Sequence, residues 1–381
     1  MKKYIFFIFL IIVFLAFPLI SYASYDPLSK PNNKFGIHIL FTEEISEAAT
    51  LINSNGGDWG YVTIPIMASD RDLAKWQQFM DNCRKYHLIP IVRLATDGDY
   101  FSKTSWSIPT DYDVLSFANF LNSLSWPTKN RYVVVFNETN RSDEWGGSPD
   151  ASQYAEILDY ATQVFKQRNS DFFIISAGLD NASINIPGQS VDQFTFMRQM
   201  DEALPGIFSE LDGLGAHAYP NPAFSSPPSQ SSIGIDSFYY QKNLADELSG
   251  KELPVFITET GWSSDSVSYD IQNQYYIQAF NNYWNDKDVI AVTPFIFHAD
   301  QGPFAQFAFV KNNNPTPIYA NYKNFPKIKG EPELTENYSF LKTNSTKSLP
   351  TIRFNVNESI NSVFKEINKS SEIFFKWLLK A

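Results

Sequence analysis

Eight short apolar runs recur along the chain, and polar stretches with helical periodicity separate them. Three of these runs, Tyr132–Glu138, Phe172–Ala177 and Pro254–Thr260, are nearly continuous in β-branched and aromatic residues, as in strands that are covered on both faces. The other five are Phe35–Phe41, Trp59–Met67, Leu88–Ala95, Gly213–Tyr219 and Ala291–His298. The pattern therefore predicts eight buried strands of a parallel sheet.

The stretches between these runs carry start signals for helices. Ser69 to Asp72 and Thr110 to Asp113 match the capping pattern of Ser or Thr followed by an acidic residue. Ser148-Pro149-Asp150 offers a cap residue with proline at the first helical position. Strand and helix alternate eight times, which predicts an α/β fold of the (β/α)8 TIM barrel type. An open doubly wound sheet would need a Gly-rich phosphate turn, and the sequence has none.

The two ends of the chain differ from this predicted barrel, which spans residues 35–325. Residues 1–23 join Lys2 and Lys3 to an apolar run, which indicates a secretory signal peptide, with an uncleaved membrane anchor as the alternative. Residues 24–34 form a polar linker, and residues 326–381 form a C-terminal extension. There Val356–Leu379 predicts an amphipathic helical tail that packs on the barrel or a partner copy, or lies at a membrane surface. We expect a secreted or extracytoplasmic protein, anchored to a membrane if either end serves as an anchor.

Composition excludes several classes of protein. Hydrophobic residues make up 44% of the 381 residues and charged residues 19%, so the chain can bury a sizeable core and is not disordered as a whole. The net charge of −11 argues against a nucleic-acid-binding protein. The single cysteine, Cys83, excludes an intramolecular disulfide framework and a cysteine-based zinc cluster. We predict no cofactor and no metal.

Polar residues end several of the predicted strands, where the active site of a barrel lies. Glu138 ends the fourth strand and Glu259 ends the seventh. These strands lie nearly opposite each other in an eight-stranded barrel, and strand alternation places Val134, Phe136 and Glu138 on one face. Two facing carboxylates are what hydrolysis of a glycosidic bond needs, one as proton donor and one as nucleophile.

Together these motifs resemble those of the clan A glycoside hydrolases, barrel enzymes with catalytic glutamates on strands four and seven. The resemblance is carried by Asn137-Glu138, by His217-Ala218-Tyr219 and by Thr258-Glu259-Thr260-Gly261-Trp262. It covers about residues 35–325 and implies a retaining enzyme that acts on a β-linked oligo- or polysaccharide. The sequence departs from many clan members by placing Thr139 after Glu138 and by lacking a tryptophan at the end of strand eight.

The resemblance also implies individual roles. Glu138 corresponds to the general acid/base and Glu259 to the nucleophile, while Asn137 would donate to the substrate 2-hydroxyl. Tyr219 would hold the nucleophile and His217 would line the sugar site. Arg93, on strand three, would keep the nucleophile ionised through its nearby positive charge.

Four further residues are candidates for substrate binding, each with a structural alternative. Trp262 and Trp145 are either sugar platforms or packing residues, and His38 and His298 lie near the ends of strands one and eight. Two other functions stay open: a non-catalytic envelope protein that binds glycan, and a metal-dependent barrel hydrolase using His38, His217 and His298.

Overall fold

The computed structural model describes residues 24–98 and 105–335 of the chain. Its eight principal strands each overlap one of the predicted apolar runs. They are β1 (Gly36–His38), β2 (Gly60–Met67), β3 (Leu88–Ala95), β4 (Arg131–Val134), β5 (Phe172–Ile175), β6 (Leu214–His217), β7 (Val255–Glu259) and β8 (Val289–Val292). Nearly every residue in these strands is buried, which explains why the runs are continuous rather than alternating.

The strands close into a barrel. Strands β1 to β5 form one parallel sheet in chain order, and β6 to β8 form a second. Single parallel bridges join the two sheets at both seams, between Ile175 and Gly213 and between Phe35 and Val292. The prediction of an α/β fold with parallel strands is confirmed, and every strand is followed by a helix on the outside.

Eight α-helices follow the strands: α1 (Ile45–Ile52), α2 (Leu73–Tyr86), α3 (Asp111–Ser123), α4 (Ala151–Arg168), α5 (Gln193–Ala203), α6 (Ser237–Ser249), α7 (Tyr269–Asn282) and α8 (Pro317–Asn324). A short antiparallel pair, β9 (Val310–Lys311) and β10 (Asn314–Pro315), precedes α8.

Three predicted helix starts can be compared with the observed caps. Thr110 and Asp113 form the expected capping box at the start of α3. Asp72 itself caps α2, accepting from the amides of Ala74 and Lys75, so Ser69 is not the cap. Asp150 caps α4, and the predicted start at Ser148-Pro149 is therefore two residues too early. In both cases an aspartate two or three residues closer to the helix binds the free amides in place of the earlier serine.

The interior of the barrel has an aromatic floor and a polar upper end. At the floor, Tyr132 packs against Phe173, Phe256 and Tyr61 with ring centroids 5.0 to 6.2 Å apart. Towards the carboxyl ends of the strands the interior instead buries charged and polar side chains: His38, Thr63, Arg93, His217, Glu259 and Thr293. Burying such groups is costly unless they are paired, so this end is where function is expected.

The segments that precede and follow the barrel in the sequence both pack against its floor. In the predicted linker 24–34, the amide of Tyr25 donates to Asn130 and the side chain of Asn32 donates to the carbonyl of Ile290. In the predicted extension, the carbonyl of Glu333 accepts from Lys129. The predicted signal or anchor segment 1–23 and the amphipathic helix Val356–Leu379 lie outside the described residues. The domain boundaries stay predictions.

Among the described residues, no helix combines the length and the apolar character that crossing a membrane requires.

Candidate active site

Glu259 lies at the end of β7 and is held by three side chains. A register shift between β6 and β7 sets His217 directly opposite Glu259. The hydroxyl of Tyr219 donates to Oε2 of Glu259 at 3.0 Å. Nε2 of His38 lies 3.6 Å from the other carboxylate oxygen. Glu259 itself is 7% exposed, so its carboxylate is fixed at the bottom of the barrel mouth.

Glu138 reaches the same place by a different route. Strand β4 ends at Val134, and both Phe136 and Glu138 have left-handed backbone conformations, with φ of 70° and 34°. Such conformations cost about 1–3 kcal/mol each for residues other than glycine and cluster at functional sites. The prediction that strand alternation places Glu138 is therefore wrong. A sharp turn after β4, tied by the bond from the Glu138 amide to the carbonyl of Gly178, directs the side chain inward.

His217 joins the two glutamates. Its Nδ1 lies 2.8 Å from Oε1 of Glu138 and 3.8 Å from Oε2 of Glu259. One oxygen of each glutamate and this nitrogen all lie within 4.8 Å of one another. The two predicted carboxylates therefore face each other across a gap of about one sugar ring.

Gly178, in the loop after β5, makes room for this histidine. A Cβ at Gly178 would lie 2.1 Å from Cδ2 of His217 and 2.6 Å from its Nε2. No heavy atom fits at that distance, so any larger residue would displace the imidazole from Glu138. The glycine is thus part of how the chain positions His217.

The charges around Glu138 favour its ionised form. Burial alone would raise the pKa of this carboxyl, but Arg141 at 3.2 Å, the bond from His217 and the charge of Arg93 outweigh it and lower the pKa to about 2. Burial lowers the pKa of His217, but Glu259 and Glu138 more than compensate and raise it. The pair therefore favours a carboxylate beside a protonated imidazole.

His38 is the neutral counterpart of His217. It is fully buried, and burial together with the charges of Arg93 and His217 holds its pKa well below the ordinary value. Neither of its ring nitrogens has a hydrogen-bond partner. This neutral imidazole lies 3.6 Å from Glu259, beyond hydrogen-bond distance, and packs beside the carboxylate without adding positive charge.

Among the described residues, His38, His217 and His298 do not form the metal centre that the alternative of a metal-dependent hydrolase would need. His298 lies at the rim, where it pairs with Asp300 at 2.8 Å and approaches Glu44. Within the described part of the chain, Glu138, His217 and Glu259 are the one group whose ligand atoms are close enough to share a metal ion. Since Nδ1 of His217 is engaged by Glu138, the present arrangement fits proton chemistry at least as well.

A cavity of about 540 Å³ opens above the two glutamates. The side near Glu138 is charged and is lined by Arg93, Trp106, Asn137, Arg141, Asp143, Glu144 and Asp180. The side near Glu259 is largely apolar and is lined by Leu40, Tyr219, Phe224, Phe295, Phe304 and Phe307. A cavity of this size accommodates a small oligosaccharide unit.

Five predicted binding residues do not line this cavity: Trp262, Trp145, His298, His38 and His217. His38 and His217 are buried, at 0% and 1% exposure, so the expectation that His217 lines the sugar site is wrong. Trp262 is 1% exposed, its rings contact Tyr276 and Trp284, and its indole N–H donates to the carbonyl of Ser226. Trp145 is equally buried against Phe136 and Tyr154. Both tryptophans are packing residues rather than sugar platforms, and His298 lies outside the cavity lining. By contrast, the predicted binding residues Arg93, Asn137 and Tyr219 do line the cavity.

Several lining residues have no counterpart in the sequence-based predictions. Glu144 has its pKa raised to about 7, because burial and the charge of Glu138 disfavour ionisation more than Arg93 and the amide of Asn137 favour it. Arg141 pairs with Glu138, and Phe295 lines the apolar wall of the cavity. Proximity in the sequence could have indicated two of these residues, because Arg141 and Glu144 follow Glu138 by three and six residues.

Comparison with known proteins gives a fold but no close relative. No protein-family model and no curated protein sequence matches the chain. Among solved structures, a family 39 glycoside hydrolase from Bacteroides cellulosilyticus is 17% identical with a TM-score of 0.53; the match covers 80% of this chain but only 65% of that one. A family 39 β-xylosidase from Caulobacter crescentus is 15% identical with a TM-score of 0.55 over 77% of this chain and 71% of that one.

A third match is the structure of XacCel5A in complex with cellopentaose, 12% identical with a TM-score of 0.50 over 76% of this chain and 98% of that one. Further matches include family 5 and family 128 glycoside hydrolases. All of these are clan A barrels. The described residues therefore have the fold of the clan A glycoside hydrolases, the group that the sequence motifs resemble.

Proposed function

We propose that the protein is a retaining glycoside hydrolase that cleaves a β-linked glycan. The observation that carries this proposal is the approach of the Glu138 and Glu259 carboxylates, with an oxygen of each inside a 4.8 Å group. Retaining enzymes place their carboxyl groups about 5–5.5 Å apart, and inverting enzymes about 6.5–9.5 Å apart to admit a water molecule. The observed approach is nearer to the retaining range than to the inverting range, which supports the proposal.

The proposed reaction has two displacement steps. In the first, a Glu259 oxygen attacks the anomeric carbon while Glu138 gives its proton to the departing glycosidic oxygen, which leaves a covalent glycosyl-enzyme. In the second, Glu138 takes a proton from a water molecule, and this water attacks the anomeric carbon and releases Glu259. Tyr219 holds Glu259 in position through both steps by its hydrogen bond to Oε2.

The cavity walls agree with a neutral sugar ring beside Glu259. Phe224, Phe295 and Phe307 present aromatic surface there, and aromatic rings pack well against the apolar faces of sugars. The cellopentaose bound in one structural neighbour makes an oligosaccharide a reasonable ligand for this cavity.

We also propose that the enzyme acts outside the cytoplasm. The support is the N-terminal sequence, where two lysines precede a long apolar run and small residues. Anchoring through this segment or through the amphipathic C-terminal segment would hold the enzyme at a membrane.

The proposal is tested with the full chain on a panel of aryl β-glycosides and insoluble β-glucan, mannan, xylan and galactan. Reducing ends should appear with at least one substrate, and proton NMR should show the β-anomer as the first product. A Glu138→Gln/Glu259→Gln double variant is the matched control for contaminating activity. An α-anomer as first product would overturn the retaining mechanism.

A glycan-binding protein without turnover is the second candidate. One observation favours it: both oxygens of Glu138 face positively charged donors, so the carboxyl is ionised in the empty site and lacks the proton that the first step needs. Binding of a glycan by the wild type with no release of reducing ends would establish this alternative.

A further inference from the structure

Arg141 connects Glu138 to two aspartates on the charged side of the cavity. Its Nη1 lies 3.2 Å from Oε2 of Glu138 and 3.5 Å from Oδ2 of Asp180. Its Nε and Nη2 bind both oxygens of Asp143 at 3.0 and 2.6 Å. The side chain of Arg141 is 36% exposed against 11% for Glu138, so the guanidinium covers the carboxylate from the solvent side.

This arrangement conflicts with a single fixed geometry during the reaction. His217 occupies Oε1 of Glu138 and Arg141 occupies Oε2, so both oxygens accept hydrogen bonds from cations. The first step of the proposed reaction needs Glu138 protonated, and the second needs it ionised. A permanent bond to Arg141 would favour the second step at the expense of the first.

The contacts of Arg141 offer a solution, because only one of its bonds has to break. Asp143 holds the guanidinium in a two-point grip that does not involve Glu138, and such bidentate pairs are strong and well oriented. Asp180 is already within 3.5 Å and stands ready to take the Nη1 donor. The leaving group of a glycan must lie next to Oε2 of Glu138, where Arg141 now binds.

We propose that Arg141 is a positioning residue that couples the protonation of Glu138 to occupancy of the leaving-group side of the cavity. With that side empty, Arg141 binds Oε2 and keeps Glu138 ionised. A sugar that enters displaces Nη1 towards Asp180, and Glu138 then takes up one proton from solvent. After the leaving group departs, Arg141 returns and Glu138 is ionised again for attack by water. This inference rests on the proposed function.

Other charged groups around Glu138 do not provide the same control. They come from five elements of the barrel: Arg93 on β3, Glu144 in the loop after β4, Asp180 after β5, His217 on β6 and Glu259 on β7. Arg93, His217 and Glu259 are buried at the base of the site. Arg141, in contrast to Arg93 and His217, is a cation on the solvent side of Glu138, where an entering substrate can reach it.

The first test measures the titration of Glu138 directly and needs no substrate. Carbon-13 NMR of the full chain labelled at glutamate carboxyl carbons gives each titration midpoint, and Glu138→Gln identifies the signal. Arg141→Gln should raise the Glu138 midpoint by about 1–3 pH units, the effect of removing an opposite charge at this distance. Arg168→Gln, which removes an exposed arginine at the end of α4, should leave it unchanged. An unchanged midpoint in Arg141→Gln would overturn the proposal.

The second test uses the pH dependence of hydrolysis. The profile of kcat/KM reports the free enzyme and that of kcat reports the enzyme–substrate complex. In the wild type, the alkaline limb of kcat/KM should therefore lie at lower pH than that of kcat. In Arg141→Gln the two limbs should converge, and Arg141→Lys should lie between. Limbs that already coincide in the wild type would contradict the coupling.

The two tests separate this inference from the proposed function. If the wild type hydrolyses no glycan, the proposed function fails, and the NMR midpoints still decide whether Arg141 controls Glu138. If hydrolysis occurs and the midpoint does not move, the function stands and the role of Arg141 falls. Thermal unfolding of each variant checks that the barrel has folded before either measurement is interpreted.

Discussion

Each side of the cavity carries one glutamate, and the two glutamates have different surroundings. Glu138 lies among two arginines and three other carboxyl groups, in a loop with left-handed backbone at two positions. Glu259 ends a regular strand and contacts a tyrosine hydroxyl and a neutral histidine, with phenylalanines beyond them. One carboxylate thus pairs with a partly exposed arginine, and the other lies at the base of the site beside a tyrosine hydroxyl and two buried histidines.

This difference teaches how two glutamates acquire separate roles. A nucleophile has to keep one orientation, which the hydrogen bond from the Tyr219 hydroxyl to Glu259 favours. An acid/base has to change its protonation state twice per cycle, and the movement of Arg141 proposed above would assist that change. Environments that differ in this way are how active sites divide acid and base work between equal side chains.

The largest expected effect on activity comes from removing the carboxylate of Glu259. Glu259→Ala should lower kcat by roughly 10⁴-fold or more, because no other group can form the covalent intermediate. Azide should restore turnover by taking the vacant place and should yield an α-glycosyl azide. Glu247→Ala, at an exposed position on α6, is the control and should keep full activity. A loss below tenfold would refute the role of Glu259.

Removing the carboxylate of Glu138 should lower activity by an amount that depends on the leaving group of the substrate. Glu138→Ala should lower kcat by about 10²–10⁴-fold for natural glycosidic bonds, the usual contribution of acid catalysis. For dinitrophenyl glycosides, which leave without a proton, the first step should be nearly unaffected and azide should give a β-glycosyl azide. An equal loss with both kinds of substrate would show that Glu138 is not the acid.

A smaller effect is expected when Glu259 keeps its carboxylate and loses one donor. Tyr219→Phe removes the 3.0 Å hydrogen bond to Oε2 and should lower kcat/KM by roughly 10–100-fold, since a hydrogen bond to a charged group contributes about 1.5–3 kcal/mol. The exposed Tyr240→Phe serves as control. Activity within a factor of two of the wild type would mean that His38 and the backbone suffice to hold the nucleophile.

The smallest expected effect concerns stability on the charged side. Burial and the charge of Glu138 raise the pKa of Glu144 to about 7. The contribution of Glu144 to the free energy of unfolding is therefore complete at low pH and is lost as the pH rises from about 4.5 through 7. Glu144→Gln should therefore be more stable than wild type at pH 8 by about 1–3 kcal/mol and equal to it below pH 4.5. Urea unfolding at the two pH values measures this, with the exposed Glu156→Gln as control. A pH-independent difference would exclude the ionisation of Glu144 as its cause.

Much of the fold could be predicted because each strand carries its own local signal. Strands buried on both faces must be apolar along their length, so runs such as Leu88–Ala95 identify themselves without reference to the rest of the chain. Capping is also local, as Thr110 and Asp113 show. Motifs at strand ends then placed Glu138, Glu259, His217 and Tyr219 around one mouth.

Predictions failed where a side chain has two physically reasonable uses. A tryptophan next to a catalytic residue serves equally well as a sugar platform or as packing. Trp262 packs in the core because α7 and the loop after β7 enclose it, which its neighbours in sequence do not reveal. The alternation that was expected to orient Glu138 failed because β4 ends four residues earlier.

The sequence by itself determined the eight apolar strands, their alternation with helices, and the two glutamates at or just after the ends of strands. These follow from rules that act over a few residues: burial demands apolar side chains, and helix ends demand polar caps. Only the tertiary structure decided that Arg141 reaches Glu138, that Gly178 makes room for His217 and that Phe295 rather than Trp262 faces the cavity. Those outcomes depend on distances between loops from different strands, and electrostatic and packing forces there act through space rather than along the chain.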